Sequence, residues 1–457
     1  MNNKGVLFSI SILSIVAVFI VSESFSAASF LVFTLFFGSS VILLTCKDKQ
    51  DFSFVMRVYL IAFSVIAIET LLQWLGNDAN MTTFADDDND QYKFWTASLR
   101  GVSVSSPFIL FKECIIDNIY YENGGYYYYI QLIAYISSHY FDGNHLMTQM
   151  LGSSVFGMLS SVFVFYLLRN YLTKEKAYEY SLVYVLLTPM LPDCLMIHRD
   201  PIISFFYLIL IYLWLCKRFG ILNFAFQIAI ILVLINFRLQ HGLFAITFLM
   251  LSIFGQKSRT KWVYIGVFAA MFVLYGIAFA DYIMMTVADT FIYYDNFTNE
   301  QLDVINSGLG RYVYMLPSPV KEIAQVFFLQ LQFPSWDGII KATNFYEGVI
   351  GFHKFIIKIL WFYVFSFIIV SIIKKGFKKI PSHLIIAGII SLAFLFLNSS
   401  HLDLRRVICM YPIIFIIYVY YKEYVCSYKM TKSFIMNYSI FYSTLCLVYF
   451  VLSGSFG

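Results

Sequence analysis

Charge is what this sequence has least of. Only 13% of its 457 residues are Asp, Glu, Lys or Arg, against 60% hydrophobic. A water-soluble chain of that length needs far more polar surface to cover its core. Cysteine is sparse and unpatterned. The seven, Cys46, Cys114, Cys194, Cys216, Cys409, Cys426 and Cys446, are odd in number and form no CxxC pair. They read as small buried hydrophobes, not as a disulfide framework or a metal site. No Gly-rich phosphate loop or dinucleotide fingerprint occurs, so nothing points to a soluble nucleotide-binding domain. His139, His145, His353 and His383 show no metal-ligand spacing and read as structural or exposed. The formal charge of +4 is too small to argue for a nucleic-acid partner. No internal repeat or low-complexity linker is present, so the chain reads as one domain, 1–457.

What fills the sequence is long, continuous apolar runs. A helix that spans a bilayer needs about 20 apolar residues. Candidates lie at about 5–22, 27–45, 54–76, 148–168, 178–197, 201–216, 221–237, 241–255, 262–280, 349–372, 381–398, 407–422 and 434–454. The expected fold is therefore all-α and polytopic, with about 13 transmembrane helices. A β-barrel would show short alternating segments instead. Lys4 precedes the first run without a convincing cleavage site after it, so that run reads as a span and not as a removed signal. The runs between 201 and 255 are short enough to be tilted, broken or recessed.

Basic residues set the orientation, because cytoplasmic connections collect Lys and Arg. With the N-terminus inside, the inner connections carry Lys47 and Lys49, Arg169 to Lys176, Lys217 and Arg218, Lys257 to Lys261, Lys374 to Lys379, and Lys422 to Lys432. Together with Lys4 they hold 18 of the 31 basic residues. Of the 27 acids, 22 fall elsewhere. This threading makes the run 126–141, which opens with four tyrosines, a juxtamembrane helix on the outer surface and not a span. It also leaves two long extracytoplasmic segments, 77–147 and 281–348, and long connections usually carry function.

The first of these contains Asp86-Asp87-Asp88-Asn89-Asp90-Gln91-Tyr92. Crowded carboxylates raise one another's pKa, which suits a general base or a site for a divalent cation. A solvated acidic loop is the plainer reading. The aromatic flanks Phe84, Tyr92, Phe94 and Trp95 make the two about equal. A second feature is arginine on the side opposite to the basic bias. His198-Arg199-Asp200, Arg238 with His241, and His401 to Arg406 fall at three outer hairpins. An arginine at the bilayer centre costs about 2.5–3.5 kcal/mol, less near an interface. Its planar fork of donors suits phosphate. Arg199 with Asp200, and Arg405 or Arg406 with Asp403, also read as local ion pairs. Arg238 has no acid nearby in sequence, so its plain reading is snorkelling. In the second long segment, about 319–333 reads as an amphipathic helix followed by Phe333-Pro334-Ser335-Trp336. A packing lid is its simplest role.

The acidic first outer loop, the helix opening with Gly124-Gly125-Tyr126, a span ending in basic residues and His198-Arg199-Asp200 together resemble the GT-C superfamily of membrane glycosyltransferases over roughly 55–260. Phe333-Pro334-Ser335-Trp336 and the Arg405-Arg406 hairpin resemble features of bacterial surface-polysaccharide members, including O-antigen polymerase-like proteins. The resemblance implies a polyprenyl-linked sugar donor used at the outer face of the cytoplasmic (inner) membrane. It gives the role of base or acceptor-orienting group to Asp88 or Asp90, with Asp87 beside them. It gives the lipid (pyro)phosphate to Arg199, Arg238, Arg405 and Arg406. Asp200, His241 and Tyr92 complete the implied substrate site. The run of four acids departs from the family's usual one or two and leaves metal use open. The polymerase subgroup often lacks such a loop and relies on arginines, so polymerase and single-sugar transferase both stand. The implied partners are the lipid-linked glycan, membrane lipid and other polysaccharide-assembly proteins. A rival reading is a lipid-linked oligosaccharide flippase or other transporter. That would place charges mid-helix along a pathway, often with repeated halves.

Overall fold

Two of the long helices begin at a side-chain cap. Ser24 accepts a hydrogen bond from the Ala27 N–H at 3.1 Å and opens the helix Phe25–Thr45. Asn344 accepts from the Glu347 N–H at 3.0 Å and opens Phe345–Lys375, which stops at Gly376 with φ 64°. The computed structural model describes residues 3–46, 48–76, 90–120, 123–216, 219–255, 261–278, 284, 313–331, 335–377, 379–398 and 407–454. Every regular element among these described residues is helical.

Among the described residues, six helices are long and apolar enough to cross a membrane: Gly5–Ser22, Phe25–Thr45, Lys49–Gly76, Leu146–Arg169, Phe345–Lys375 and Ile408–Val425. Five shorter apolar helices accompany them: Asp200–Cys216, Ile221–Phe237, Leu239–Phe254, Lys261–Met271 and Ser382–Asn398. This is the architecture of a multi-pass membrane protein. The run 178–197 does not form one helix. It divides into Lys174–Leu187 and a single turn, Met190–Asp193. Pro189 and Pro192 explain the break, because proline lacks an N–H and pushes the residue before it out of helical geometry.

The chain forms two compact units. The first, Met1–Leu186 with Met190–Lys321, contains α1 (Asn3–Ser22), α2 (Phe25–Thr45), α3 (Lys49–Gly76), α4 (Asp90–Ser98), α5 (Gly124–Tyr140), α6 (Leu146–Leu151), α7 (Ser154–Arg169), α8 (Lys174–Leu187, all but its last residue), α9 (Asp200–Cys216), α10 (Ile221–Phe237), α11 (Leu239–Phe254) and α12 (Lys261–Ala278). The stretch α6–α7 is its axis: 89% of its apolar window is buried by other helices, against 11% for α1. It packs on α2, α3 and α9. A helix apolar all round belongs in such a place, and small residues let its neighbours approach. Gly157, for example, lies under the Cys194 Sγ, where a Cβ would collide. By contrast, Leu13, Ile20, Phe33, Phe36 and Leu44 on α1 and α2 are exposed, an apolar surface of the kind lipid covers.

Side-chain contacts sort the connections of this unit to the two ends of α2, whose 21 residues extend about 31 Å. At one end Thr45 meets Tyr166 at 2.9 Å, Asp51 meets Arg169 at 3.1 Å, and Lys174 meets Gln50. At the other end Ser26 meets Thr148 at 2.8 Å, and Asp142 accepts from the Phe25 and Ser26 N–H groups at 2.5 and 2.7 Å. Burial alone would raise the Asp142 carboxyl. Those two N–H groups and His145, 3.3 Å away, outweigh it and hold the pKa below the usual value.

The second unit, Leu187–Pro189 with Glu322–Gly457, holds α13 (Val320–Leu331, of which it takes all but the first two residues), α14 (Phe345–Lys375), α15 (Ser382–Asn398), α16 (Tyr411–Tyr420) and α17 (Tyr428–Gly454). The expected helix over 319–333 is α13. Of the motif after it, Ser335 is buried against Tyr442 and Trp336 stands edge-on to Tyr449 at 5.5 Å. None of the seven cysteines forms a disulfide.

Candidate functional site

The two glycines at the start of α5 decide the local geometry. A Cβ on Gly125 would lie 2.9 Å from Phe237 Cδ2 and 3.0 Å from the Asn236 carbonyl carbon. Only glycine lets the N-terminus of α5 sit this tightly on the C-terminus of α10. Tyr126 and Tyr127 follow at once. Tyr126 is fully buried, edge-on to Phe94 of α4 at 4.7 Å and 6.0 Å from the Phe237 ring. Tyr127 stacks on Tyr120 at 4.2 Å and stands edge-on to Phe94 at 5.5 Å.

Charged residues from two helix N-termini act on this tyrosine pair. Asp90 is the first residue of α4, where a carboxylate complements the helix N-terminus. Asp200 opens α9, followed by Pro201 in the first turn. Arg199 immediately precedes it, and its carbonyl accepts from Ile202 and Ile203 at 3.1 Å. Burial raises the Tyr126 phenol well above its usual range, and Asp200 adds to that while Arg199 opposes it. Burial also raises Tyr127, with Arg199 pulling down and Asp90 pushing up. Tyr127 is thus within electrostatic reach of both Asp90 and Arg199. Ser153 ties the group together: it lies in hydrogen-bond reach of Tyr126 and donates to the His198 carbonyl at 3.0 Å.

Arg238 lies next to this cluster, one residue beyond Phe237. It is the single extended residue (φ −169°, ψ 117°) between α10 and α11. Its N–H donates to the Leu234 carbonyl at 2.8 Å, and its own carbonyl accepts from His241 at 3.0 Å and Gly242 at 3.2 Å. The two helices therefore form a hairpin with a one-residue bend. The side chain is only 8% exposed, and its Nε is sealed from solvent with no hydrogen-bond partner. A buried guanidinium donor beside a helix N-terminus is suited to an oxyanion. Asn123, the residue before Gly124, likewise carries a shielded Oδ1 with no hydrogen bond. His241 is buried, and its carbonyl accepts from the Tyr207 hydroxyl at 2.8 Å.

The structure therefore gathers Asp90, Arg199 and Asp200 around Tyr126 and Tyr127, with the Arg238–His241 bend reached through Phe237. Tyr92 is half-buried on α4, and the ring that packs on the tyrosines is Phe94. Asp86, Asp87, Asp88, His401, Asp403, Arg405 and Arg406 lie outside the described residues. Among the described residues no group of three His, Cys, Asp or Glu is placed to hold a metal ion. Sequence reasoning missed the bridging role of Tyr127; its signal was the tyrosine directly after Gly-Gly-Tyr. It also missed Glu69, a buried carboxylate on α3 in electrostatic reach of Cys194. An acid inside an apolar run was the available signal.

Comparisons with protein-family models, with curated proteins and with solved structures find no match.

Proposed function

We propose that this chain is an inner-membrane glycosyltransferase that uses a polyprenyl-(pyro)phosphate-linked sugar or oligosaccharide at the extracytoplasmic face, in bacterial surface-polysaccharide assembly. The observation that carries the reading is Arg238: a buried guanidinium with an unengaged Nε, at a helix N-terminus, one residue beyond Phe237, whose ring lies 6.0 Å from Tyr126 in the cluster that also holds Asp90 and Arg199. Such a site offers fixed donors to a lipid phosphate as it leaves. The donor carries its own membrane anchor, so no soluble nucleotide-binding domain is required.

In the proposed reaction an acceptor hydroxyl oxygen attacks the anomeric carbon of the donor sugar. The bond from that carbon to the lipid phosphate oxygen breaks, and the phosphate leaves with the electron pair, stabilised by Arg238 and Arg199. The hydroxyl proton passes to a carboxylate, Asp90 or Asp88. Repeat-unit polymerisation and single-sugar transfer are two forms of this chemistry. The threading with thirteen spans and a cytoplasmic N-terminus belongs to the same proposal. It takes the six long helices, the five shorter ones, α17, and α8 with its following turn. The sorting of unit 1's connections to two ends supports it, because the basic group 45–51 and 169–174 meets at one end and Asp142 lies at the other.

The test is the glycan made by the native host carrying Arg238→Ala, Arg238→Lys or Asp88→Asn. Loss of a charge-assisted contact of about 1.5–3 kcal/mol predicts a ten- to hundredfold slower transfer for Arg238→Ala, partly recovered in Arg238→Lys. Single repeats without long chains indicate a polymerase; a repeat lacking one sugar indicates a transferase. Full-length, complete glycan in every variant sinks the assignment. Glu69 is the observation that favours the second reading, a flippase or other transporter, since buried acids within spans mark transport pathways. Under that reading Glu69→Gln, and not Arg238→Ala, abolishes glycan export.

A further inference from the structure

The amphipathic helix α13 is turned inside out. Its buried face carries Gln325, Val326, Leu329 and Gln330, while Val320, Ile323 and Phe327 are exposed. An apolar outer face is what lipid accepts. An inner face with two amides must find polar partners or lose free energy. Gln330 is completely buried. Its Oε1 accepts from the Trp361 indole N–H at 2.9 Å and from the Tyr411 hydroxyl at 3.0 Å. An indole nitrogen only donates, so the atom facing it must be the amide oxygen, and the orientation of the amide is fixed. The opposite end of the amide, Nε2, is sealed from solvent and has no hydrogen-bond partner. Trp361 and Tyr411 stack face to face at 3.8 Å beside it, anchored on α14 and α16. The result is a donor group held rigidly by aromatic neighbours, with nothing to donate to.

We propose that Gln330 Nε2 is the donor of a buried binding site in the second unit for a neutral oxygen acceptor of a sugar, a hydroxyl or an acetamido carbonyl, with the Trp361–Tyr411 pair as its wall. Neutral chemistry follows from the surroundings. Among the described residues, the buried polar side chains of this unit are Thr188, Gln325, Gln330, Ser335, Ser371 and Ser391, with no buried cation to balance an anion. A flat aromatic wall and a fixed amide suit a sugar, whose ring offers an apolar face and oxygens at its edge. Since the site is closed, α13 must shift for the sugar to enter. The inference deepens the glycan reading by naming a second place where the sugar portion is held, and it rests on that reading.

The experiment is fluorine NMR of the full chain in nanodiscs, with 5-fluorotryptophan at its six Trp positions and Trp361→Phe to assign the resonance. The probes are N-acetylglucosamine, polyprenyl-pyrophosphoryl-N-acetylglucosamine and the unsugared polyprenyl pyrophosphate. The expected result is a saturable shift of the Trp361 resonance with the two sugar-bearing probes and none with the third. Gln330→Leu removes the amide donor at similar volume, so its resting Trp361 resonance moves with the loss of the indole's acceptor and its response to the sugar-bearing probes weakens at least tenfold. The wild-type titration stands even if that variant does not fold. No wild-type response to any probe would mean that water fills the site, and would overturn the proposal. A response only to exchanging ether-linked for ester-linked lipids would also overturn it, with a lipid carbonyl as the occupant. Because binding is read without turnover, a chain that binds sugar at Trp361 but transfers none defeats the enzyme reading alone. Transfer that depends on Arg238, with a silent Trp361, defeats this inference alone.

Discussion

Single residues in this protein work through what they are denied as much as through what they touch. Arg238 Nε and Gln330 Nε2 are donors shut away from water with no acceptor. Leaving such a group unsatisfied costs about 1–3 kcal/mol, a cost that an arriving oxygen removes. Asp142 is the opposite case, a carboxylate fully engaged by two N–H groups of α2. Its pKa is lowered, so its contribution is complete above the ordinary carboxylate value of 3.8 and disappears as pH falls through its own lower value. We expect Asp142→Ala to lose about 1–2 kcal/mol at neutral pH, by analogy with a lost helix cap. Thermal unfolding of wild type and variant should converge as pH is lowered below that range. A gap that is the same at acid and neutral pH would contradict the capping account.

At the scale of elements, the joints that position the site are tight helix–helix contacts. Gly125 is the clearest. We expect Gly125→Ala to destabilise the chain by about 1–3 kcal/mol through overpacking against Asn236 and Phe237. Gly266→Ala on α12, where a Cβ meets nothing within 4 Å, should instead be neutral or stabilise by about 0.5–1 kcal/mol. Thermal melts of the two variants make the comparison. Equal melting temperatures would show that α5 and α10 can part without cost. The same joints show what the sequence could reveal. Runs such as 27–45 and 349–372 were legible because hydropathy alone identifies a lipid-length helix. The break at Pro189 was not, since a hydropathy sum ignores a missing N–H. The inward glutamines of α13 were unreadable for a related reason. Amphipathicity tells that a helix has two faces, but lipid outside and amides inside reverse the usual assignment. On α4 the sequence offered both Tyr92 and Phe94, and only packing selects Phe94 as the partner of Tyr126. The hairpin bend at Arg238 was visible as a short pair of runs, but its one-residue length and shielded Nε were not.

For the whole molecule, orientation is the property most open to a direct test. Under the proposed threading, a cysteine placed at Lys374 faces the cytoplasm and one placed at Lys93 faces outward. Each would be introduced into a chain whose seven native cysteines are replaced. A membrane-impermeant maleimide applied to intact cells should label the position-93 variant and spare the position-374 variant. Labelling of both only after lysis, or the reverse pattern, would overturn the threading and with it the outward-facing site.

The enclosed stretch Leu146–Arg169 has one further consequence. Hydrocarbon scarcely touches it, so the thickness of the bilayer acts on it only through its neighbours. A mismatch in acyl-chain length is met first by rim helices such as Gly5–Ser22, which tilt at modest cost. The axis, and Tyr126 braced against it through Ser153, should hold their spacing in short-chain and long-chain membranes alike, so that the protein works as a stiff hub inside a compliant rim.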